Sequence, residues 1–306
     1  MEFSNQIKYG YWMQLPDLQN FGDVLIKYIY FKKTGNTIIY KDRGCDKKLT
    51  VLISIGSILN HSDSFKCNLI IWGTGVIPKP HKKYDINSDN NKLFLNNYKI
   101  LSIRGPLTYQ LLQSWGYNKV PRIFGDPGLL ISKYYKPNIK KKYKIGFIPH
   151  HSYSLDIINK YLQEINNKNI TLINFNVKDD FNSIEDTINH ILSCEYIISH
   201  ALHGLITAHS YNIKAMFGLI CPPNTEYGFF KYIDYYKSIN LDGPISCIPI
   251  LMKDIDINNF NINETIPINF FEYKNFNIDN VIRVIEKYPI PKFPINTNHI
   301  LESCPF

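Results

Sequence analysis

Residues 196–219 read YIISHALHGLITAHSYNIKAMFGL. The apolar run at 196–199 predicts a buried strand, the stretch 204–211 predicts a helix, and 215–219 predicts a second buried strand. Apolar strands that alternate with amphipathic stretches are typical of parallel strands covered by helices. This strand–helix–strand unit therefore predicts an α/β fold of the doubly wound type.

The same alternation extends outward from this unit in both directions. Upstream of it, strands are predicted at 144–148 and 170–175 and helices at 155–166 and 183–193. The first half of the chain repeats the pattern, with strands predicted at 7–12, 37–40, 50–55, 69–72 and 100–103 and helices at 23–33 and 106–115. The helix at 106–115 has Pro106 in its first turn and Gly116 after its end, which are the preferred start and stop residues.

This pattern predicts two Rossmann-like domains that face each other across a cleft, a GT-B-like architecture. We expect an N-terminal Rossmann-like domain at 1–140 and a C-terminal one at 141–240. The last segment, 241–306, is rich in Asn, Ile and Pro, contains one predicted helix at 279–287, and is expected to pack back on the domains. In such folds ligands bind outside the carboxyl ends of the strands.

The charge of the chain favours an anionic partner. Its 34 Lys and Arg residues exceed its 26 Asp and Glu residues, giving a net charge of +8. Basic residues are scattered, or occur in short runs such as 140–144, interpreted as a solvated linker between domains. Because no basic stripe interleaved with aromatic residues occurs, we expect no nucleic-acid partner.

Cysteine spacing and hydropathy predict a cytoplasmic protein. The six cysteines are far apart and form no C-x-x-C pair, which is typical of reduced thiols in the cytosol. No secretory signal is recognisable at 1–12, and no apolar run reaches the roughly 18 residues of a membrane span. We therefore expect no integral membrane segment. The sequence gives no indication of oligomeric state.

Two stretches of the predicted N-terminal domain follow strands and could line a ligand site. Asn20, Gly22 and Asp23 lie at a helix start, where unpaired N–H groups attract negative charge. The alternative for these residues is an ordinary helix cap. Gly73, Thr74 and Gly75 follow an apolar strand, but Pro78 stands where a dinucleotide fingerprint needs its third glycine, which disfavours NAD. That stretch either lines a cleft or forms a plain turn.

Arg104 stands at a predicted strand end, directly before the helix that begins at Pro106. A guanidinium there can bind a carboxylate or phosphate with two N–H groups, and the helix start adds partial positive charge. The alternative is an arginine in a surface ion pair. The later stretch Phe124 to Gly128 (FGDPG) is interpreted as a turn.

Histidines mark two strand ends of the predicted C-terminal domain. His150 and His151 are adjacent on an extended segment and point to opposite sides, so at most one of them faces the cleft. His200 and His203 lie between a strand and a helix. A histidine held there titrates near neutral pH and can exchange protons with a substrate. A structural role is the alternative for each of them.

Six motifs, in their order and spacing, resemble those of the polysaccharide pyruvyl transferase family. They are NFGD at 20–23, WGTG at 72–75, IRGPLT at 103–108, GDP at 125–127, GFIPHH at 146–151 and SHALHGLI at 199–206. The stretch FKYIDYY at 230–236 also resembles an aromatic segment of that family. The resemblance extends over residues 9–239.

The resemblance implies an enzyme that transfers pyruvyl from phosphoenolpyruvate onto two hydroxyls of a sugar as a cyclic ketal. It implies that Arg104 holds the donor and that His203 is the catalytic acid or base. Some members carry arginine where this chain has Ala201, so His200, Lys231 or His151 is expected to supply the missing positive charge. This chemistry requires no metal and no nucleotide cofactor.

The acceptor is expected to be a hexose or an N-acetylhexosamine such as N-acetylglucosamine, because its 4- and 6-hydroxyls close a six-membered ketal ring. The sequence leaves open whether that sugar is free, nucleotide-linked or part of a glycan. Two other functions also remain open. One is a GT-B glycosyltransferase that uses a nucleotide sugar, and the other is a catalytically inactive glycan-binding protein.

Overall fold

Two five-stranded parallel sheets form the framework of the protein in a computed structural model. The structure describes residues 7–15, 17–77, 97–150, 155–156, 159, 163, 167–219, 230–241, 248–249, 278–287 and 291–306. The predicted helix at 155–166 lies largely outside the described residues, and Pro78 and His151 lie outside them.

The described strands, in chain order, are β1 (Tyr9–Tyr11), β2 (Gln19–Asn20), β3 (Ile39–Tyr40), β4 (Thr50–Ile53), β5 (Asn68–Trp72), β6 (Tyr98–Ser102), β7 (Tyr143–Ile148), β8 (Ile170–Leu172), β9 (Asn176–Val177), β10 (Cys194–Ser199), β11 (Lys214–Leu219) and β12 (Ile248–Pro249). The helices are α1 (Phe21–Thr34), α2 (Pro106–Ser114), α3 (Ile131–Tyr134), α4 (Phe181–Leu192), α5 (Leu202–Ser210), α6 (Phe230–Ser238), α7 (Ile278–Lys287) and α8 (Asn298–Glu302). Two 3₁₀ turns lie at Leu59–Ser64 and Pro127–Leu130.

The first sheet has the order β3-β1-β4-β5-β6, and the second has the order β12-β11-β10-β7-β8. All their described pairings are parallel. The inner strand β5, which lies between β4 and β6, has a buried sequence: Leu69, Ile70, Ile71 and Trp72 are each at most 2% exposed. A strand buried on both faces is typical of a parallel sheet covered by helices. The predicted α/β class with parallel sheets is confirmed, and the GT-B arrangement of domains stays a prediction.

The residues that begin and end the helices explain their positions. Asn20 caps α1, because its side-chain oxygen accepts a hydrogen bond from Gly22 N at 2.9 Å. That helix ends at Gly35, whose φ of 74° suits a residue without a Cβ. Pro106 opens α2 as predicted, and Gly116 follows that helix with a φ of 89°.

The chain forms two compact units that are not contiguous in sequence. The first unit contains the described parts of Met1–Tyr134, Thr225–Asn240 and Asn296–Phe306, and the second contains those of Tyr135–Asn224 and Leu241–Ile295. The first unit therefore includes α6 and α8. In the second unit, Tyr196 OH donates to Glu286 Oε1 of α7 at 2.9 Å. The boundaries expected at 140 and 240 stay predictions.

Within the described part of the chain, none of the helices has both the length and the apolar character needed to cross a bilayer.

Candidate active site

Three neighbouring strand ends of the first sheet are hydrogen-bonded into one edge. We call residues 54–57, 73–76 and 103–105, which follow β4, β5 and β6, the first-sheet edge. Within it, Thr74 Oγ1 donates to Gly56 O at 2.8 Å, and Gly75 N donates to the same oxygen at 3.1 Å. Arg104 N donates to Thr74 O at 3.0 Å. The parallel order of the sheet therefore brings Gly73, Thr74, Gly75 and Arg104 together.

Arg104 is fully buried in this edge, at 0% exposure. Its Nε donates to Asp234 Oδ2 at 3.2 Å, its Nη1 to Ser57 Oγ, and its Nη2 to Val76 O at 3.4 Å. The sequence is compatible with either an anion site or a surface ion pair at Arg104. The structure shows an ion pair, but a fully buried one, and its partner Asp234 comes from a helix that the sequence pattern does not connect to Arg104.

Gly75 is the residue that makes room for the guanidinium. A Cβ placed there would lie 2.2 Å from Arg104 Cζ, closer than any side chain tolerates. Gly73 has a different role: it has a φ of 77°, and its ideal Cβ would meet Pro127 Cδ at 2.2 Å. Asp126 caps the 3₁₀ turn at Pro127–Leu130, because its side chain accepts from Gly128 N at 2.9 Å. The turn expected at 124–128 is therefore present.

Asp234 links Arg104 to the start of α2. Its Oδ1 accepts from Leu107 N at 2.9 Å and from Thr108 N at 3.0 Å. Its Oδ2 accepts from Thr108 Oγ1 at 2.7 Å as well as from Arg104 Nε. The residue at the cap position of α2, Gly105, has no side chain, so a carboxylate from α6 supplies the capping oxygen.

Lys231, also on α6, is the second cation of this region. Burial, and then the positive charge of Arg104, lower the pKa of Lys231 to about 8, while Asp23 acts in the opposite direction. Its Nζ lies 5.1 Å from the centroid of the Tyr232 ring. An anion that binds beside this lysine favours its charged form and so raises its pKa.

The start of α1 reaches the same region through Asp23. A Cβ at Gly56, in the first-sheet edge, would lie 3.4 Å from Asp23 Oδ1. Asn20 is used as the helix cap, which was the alternative considered for it, and Gly22 N is the group that it caps. Of the three residues predicted from this motif, Asp23 is the one with an electrostatic effect on Lys231.

In the second unit, the ends of β7 and β10 bring two imidazoles together. His200 N donates to Ile148 O at 2.8 Å, which continues the pairing of the two strands. The ring centroids of His150 and His200 are 5.5 Å apart with a tilt of 47°. The ring of Phe217 contacts His200 edge-on at 5.7 Å. His151, the member of the histidine pair named as a site residue, lies outside the described residues.

His203 lies in the first turn of α5 and is 8% exposed. The turn before the helix is fixed by Ser199, whose Oγ accepts from Ala201 N at 3.1 Å and donates to Ala201 O at 2.7 Å. Gly204 lets the helix approach the strands, since a Cβ there would lie 2.2 Å from Ser199 Oγ and 2.9 Å from Ile148 Cδ1. The predicted strand-to-helix placement of His203 is therefore present.

Three residues near these groups were missed by sequence reasoning. Asp234 was noted only as part of the aromatic stretch at 230–236, and Ser57 gave no signal. The alternation of side chains along a strand predicts that at most one of His150 and His151 faces the cleft, but it does not predict which one. A buried guanidinium needs an acidic partner, so an Asp or Glu elsewhere in the chain could have been expected to pair with Arg104.

Comparison with known proteins agrees with the resemblance. The family model described as polysaccharide pyruvyl transferase matches residues 15–217, which is more than half of the chain. No curated protein matches the chain. A solved structure of a functional uncharacterized protein from Klebsiella pneumoniae subsp. pneumoniae is 18% identical, with a TM-score of 0.42; the match covers 76% of this chain and 88% of that one. This structural likeness is too weak to add to the assignment. The family match shows that the chain belongs to the polysaccharide pyruvyl transferase family and is a transferase enzyme.

Proposed function

We propose that this enzyme transfers pyruvyl from phosphoenolpyruvate onto the 4- and 6-hydroxyls of a hexose or N-acetylhexosamine, in the biosynthesis of a glycan. The observation that carries the proposal is the pair of cations Arg104 and Lys231, close enough for Arg104 to lower the pKa of Lys231. Asp234 already balances the charge of Arg104, so the ammonium group of Lys231, three residues before Asp234 on the same helix and partly exposed, is the charge that an anionic ligand would balance. Phosphoenolpyruvate carries a carboxylate and a phosphate.

The donor contacts follow from the burial of these two groups. Lys231 is partly exposed, whereas Arg104 is fully buried. In the proposal, a donor oxygen contacts Lys231 directly and Arg104 supplies a fixed positive charge behind it. Arg104 contacts the donor itself if a donor oxygen replaces Ser57 Oγ or Val76 O as the acceptor of an Nη hydrogen. No cofactor takes part in the proposed reaction.

His203 is proposed as the group that moves protons. A proton added to the methylene carbon of phosphoenolpyruvate leaves an oxocarbenium-like centre at the neighbouring carbon. One sugar hydroxyl adds there and loses its proton, phosphate leaves with its bonding electrons, and the second hydroxyl adds and loses its proton. A positioned histidine accelerates such steps by roughly a hundred- to ten-thousand-fold. The GT-B-like arrangement expected from the sequence remains part of this proposal.

The test is a donor assay with two arms. In one arm, the protein is incubated with phosphoenolpyruvate and a panel of acceptors (free sugars, nucleotide sugars and glycan fragments), and released phosphate and acceptor mass are measured. In the other arm, nucleotide sugars serve as donors and nucleoside diphosphate is measured. Phosphate release matched by a ketal-sized mass gain is expected. Nucleoside diphosphate release alone would indicate a glycosyltransferase, and acceptor binding without any turnover would indicate a glycan-binding protein.

A matched pair of variants makes the assay specific to the proposed donor contact. Lys231→Met and Lys237→Met remove the same charge from the same helix, and Lys237 is exposed. Only the Lys231 variant is expected to lose phosphate release at low donor concentration. Equal loss in both variants would contradict the assignment of Lys231 to the donor.

A further inference from the structure

A single carboxylate, that of Asp234, accepts four hydrogen bonds in the first unit. The donors are the main-chain nitrogens of Leu107 and Thr108, the hydroxyl of Thr108 and Nε of Arg104. Asp234 and Arg104 are both 0% exposed. An ionised carboxylate offers about four acceptor positions, so this one is fully used.

The arrangement fixes the direction of the guanidinium as well as its charge. Nε, on one edge of the planar group, is bound to Asp234, which itself is bound to the rigid first turn of α2. The two Nη atoms donate to Ser57 Oγ and Val76 O, which both belong to the first-sheet edge. Gly75 leaves the space that the guanidinium occupies. A planar fork is useful for anion recognition only when its orientation is fixed.

We propose that Asp234 is a positioning residue of the donor site: it orients Arg104, so that the positive charge and the Nη edge of the guanidinium stay where the anionic donor is received. The inference rests on the proposed function, in that it takes an anionic donor to be bound beside Arg104 and Lys231. Asp234 itself contacts no reacting atom in this assignment. Its effect on the reaction is exerted through Arg104.

Two substitutions separate orientation from charge and from capping. Asp234→Asn keeps the size of the side chain, and its remaining oxygen can still accept from Leu107 N and Thr108 N, but its amide nitrogen cannot accept from Arg104 Nε. Asp234→Glu keeps the negative charge next to the guanidinium but lengthens the side chain, so the four contacts cannot all be kept. Asp46→Asn is the matched control, because Asp46 is an exposed residue of the same unit whose side chain accepts from Lys48 N.

The readout is the dissociation constant of phosphoenolpyruvate, measured by calorimetry on the full chain, together with KM and kcat of the transfer. A purely structural role would lower the folded fraction, which lowers kcat per total protein and leaves KM unchanged. A positioning role raises KM and the dissociation constant while the folded fraction stays high. We expect both Asp234 variants to weaken donor binding by about tenfold or more, the loss typical of one charge-assisted hydrogen bond.

The possible outcomes distinguish this inference from the proposed function. Donor binding at the wild-type level in Asp234→Glu would show that only the charge matters and would overturn the positioning role, even if Asp234→Asn fails to fold. Weaker binding in both variants, with the Asp46→Asn control unchanged, supports it. A wild-type protein that does not bind phosphoenolpyruvate refutes the proposed donor and this inference together. A wild-type protein that binds it, with both variants equal to it, refutes the role of Asp234 alone.

Discussion

Raising the pH is expected to weaken donor binding, because Lys231 loses its positive charge. The same change is expected to increase the contribution of Lys231 to the stability of the fold. The pKa of Lys231 is lowered from 10.5 to about 8 by burial and by Arg104. Below this value the ammonium group carries the charge that attracts the donor. Above it, the proton must be taken up again each time an anion binds, so the dissociation constant should rise about tenfold for each pH unit.

The stability of the fold responds to the same group in the opposite direction. The unfolded chain keeps the proton of this lysine up to its ordinary pKa of 10.5, whereas the folded protein loses it at about 8. Between these values the unfolded state binds more protons, so the contribution of Lys231 to stability rises with pH. Below about 8 the folded state carries the full unfavourable charge, which Lys231→Met removes. That variant should therefore melt at a higher temperature than the wild type at pH 7.

The assay is a calorimetric titration with phosphoenolpyruvate at fixed ionic strength, from about pH 8 to about pH 9.5, a range above that in which ordinary carboxyl and imidazole groups titrate. Lys231→Arg should bind the donor without the pH dependence, since a guanidinium stays charged throughout. Lys237→Met serves as the control from the same helix. A flat wild-type profile, or a Lys231→Met variant with wild-type affinity at pH 7, would refute the reasoning.

Three further predictions concern the second unit. His203→Ala should keep its fold and lose at least about a hundredfold in kcat, whereas His200→Ala should lose less; the reverse order of the two would move the proton transfer to His200. Gly204→Ala should destabilise the protein by about 1–3 kcal/mol, because its Cβ would overlap Ser199 Oγ, and chemical denaturation with Ser199→Ala added should show partial recovery. Burial lowers the pKa of His209 from 6.5 to about 4, so its contribution to stability should be lost as the pH falls between those values, and His209→Gln should show a shallower fall in melting temperature over that range.

The class of fold could be predicted because its signal is local. A parallel strand buried on both faces is a continuous apolar run, as at residues 69–72 of β5 and 215–217 of β11, and such runs stand out from the polar helix faces between them. The helix ends were equally readable, since Asn20 and Pro106 act within their own turns. The strand-end position of His203 followed from the same local pattern.

What could not be predicted depends on contacts between residues distant in sequence. The partner of Arg104 lies 130 positions away, on a helix whose sequence pattern indicates only an aromatic surface. The five-residue helix α8 was not predicted, because so short a helix is stabilised by tertiary contacts, here with Trp72, rather than by its own propensity. Such pairings become visible only when the chain is folded.

The first unit is built from segments that are far apart in sequence, which affects the order in which the two units fold during synthesis. Trp72 Nε1 donates to Ile300 O at 3.3 Å and to Ser303 Oγ at 3.2 Å, and Arg104 has Asp234 as its acid. On the ribosome, the first sheet emerges well before either of these partners exists. Until residue 234 is added, Arg104 lacks its carboxylate partner and α2 lacks its capping oxygen. The central strands of the second unit, β7, β10 and β11, all precede residue 234, so they can pair before the first unit is finished. Folding of the first unit is therefore expected to be late and slow, as for any structure that depends on contacts of large sequence separation.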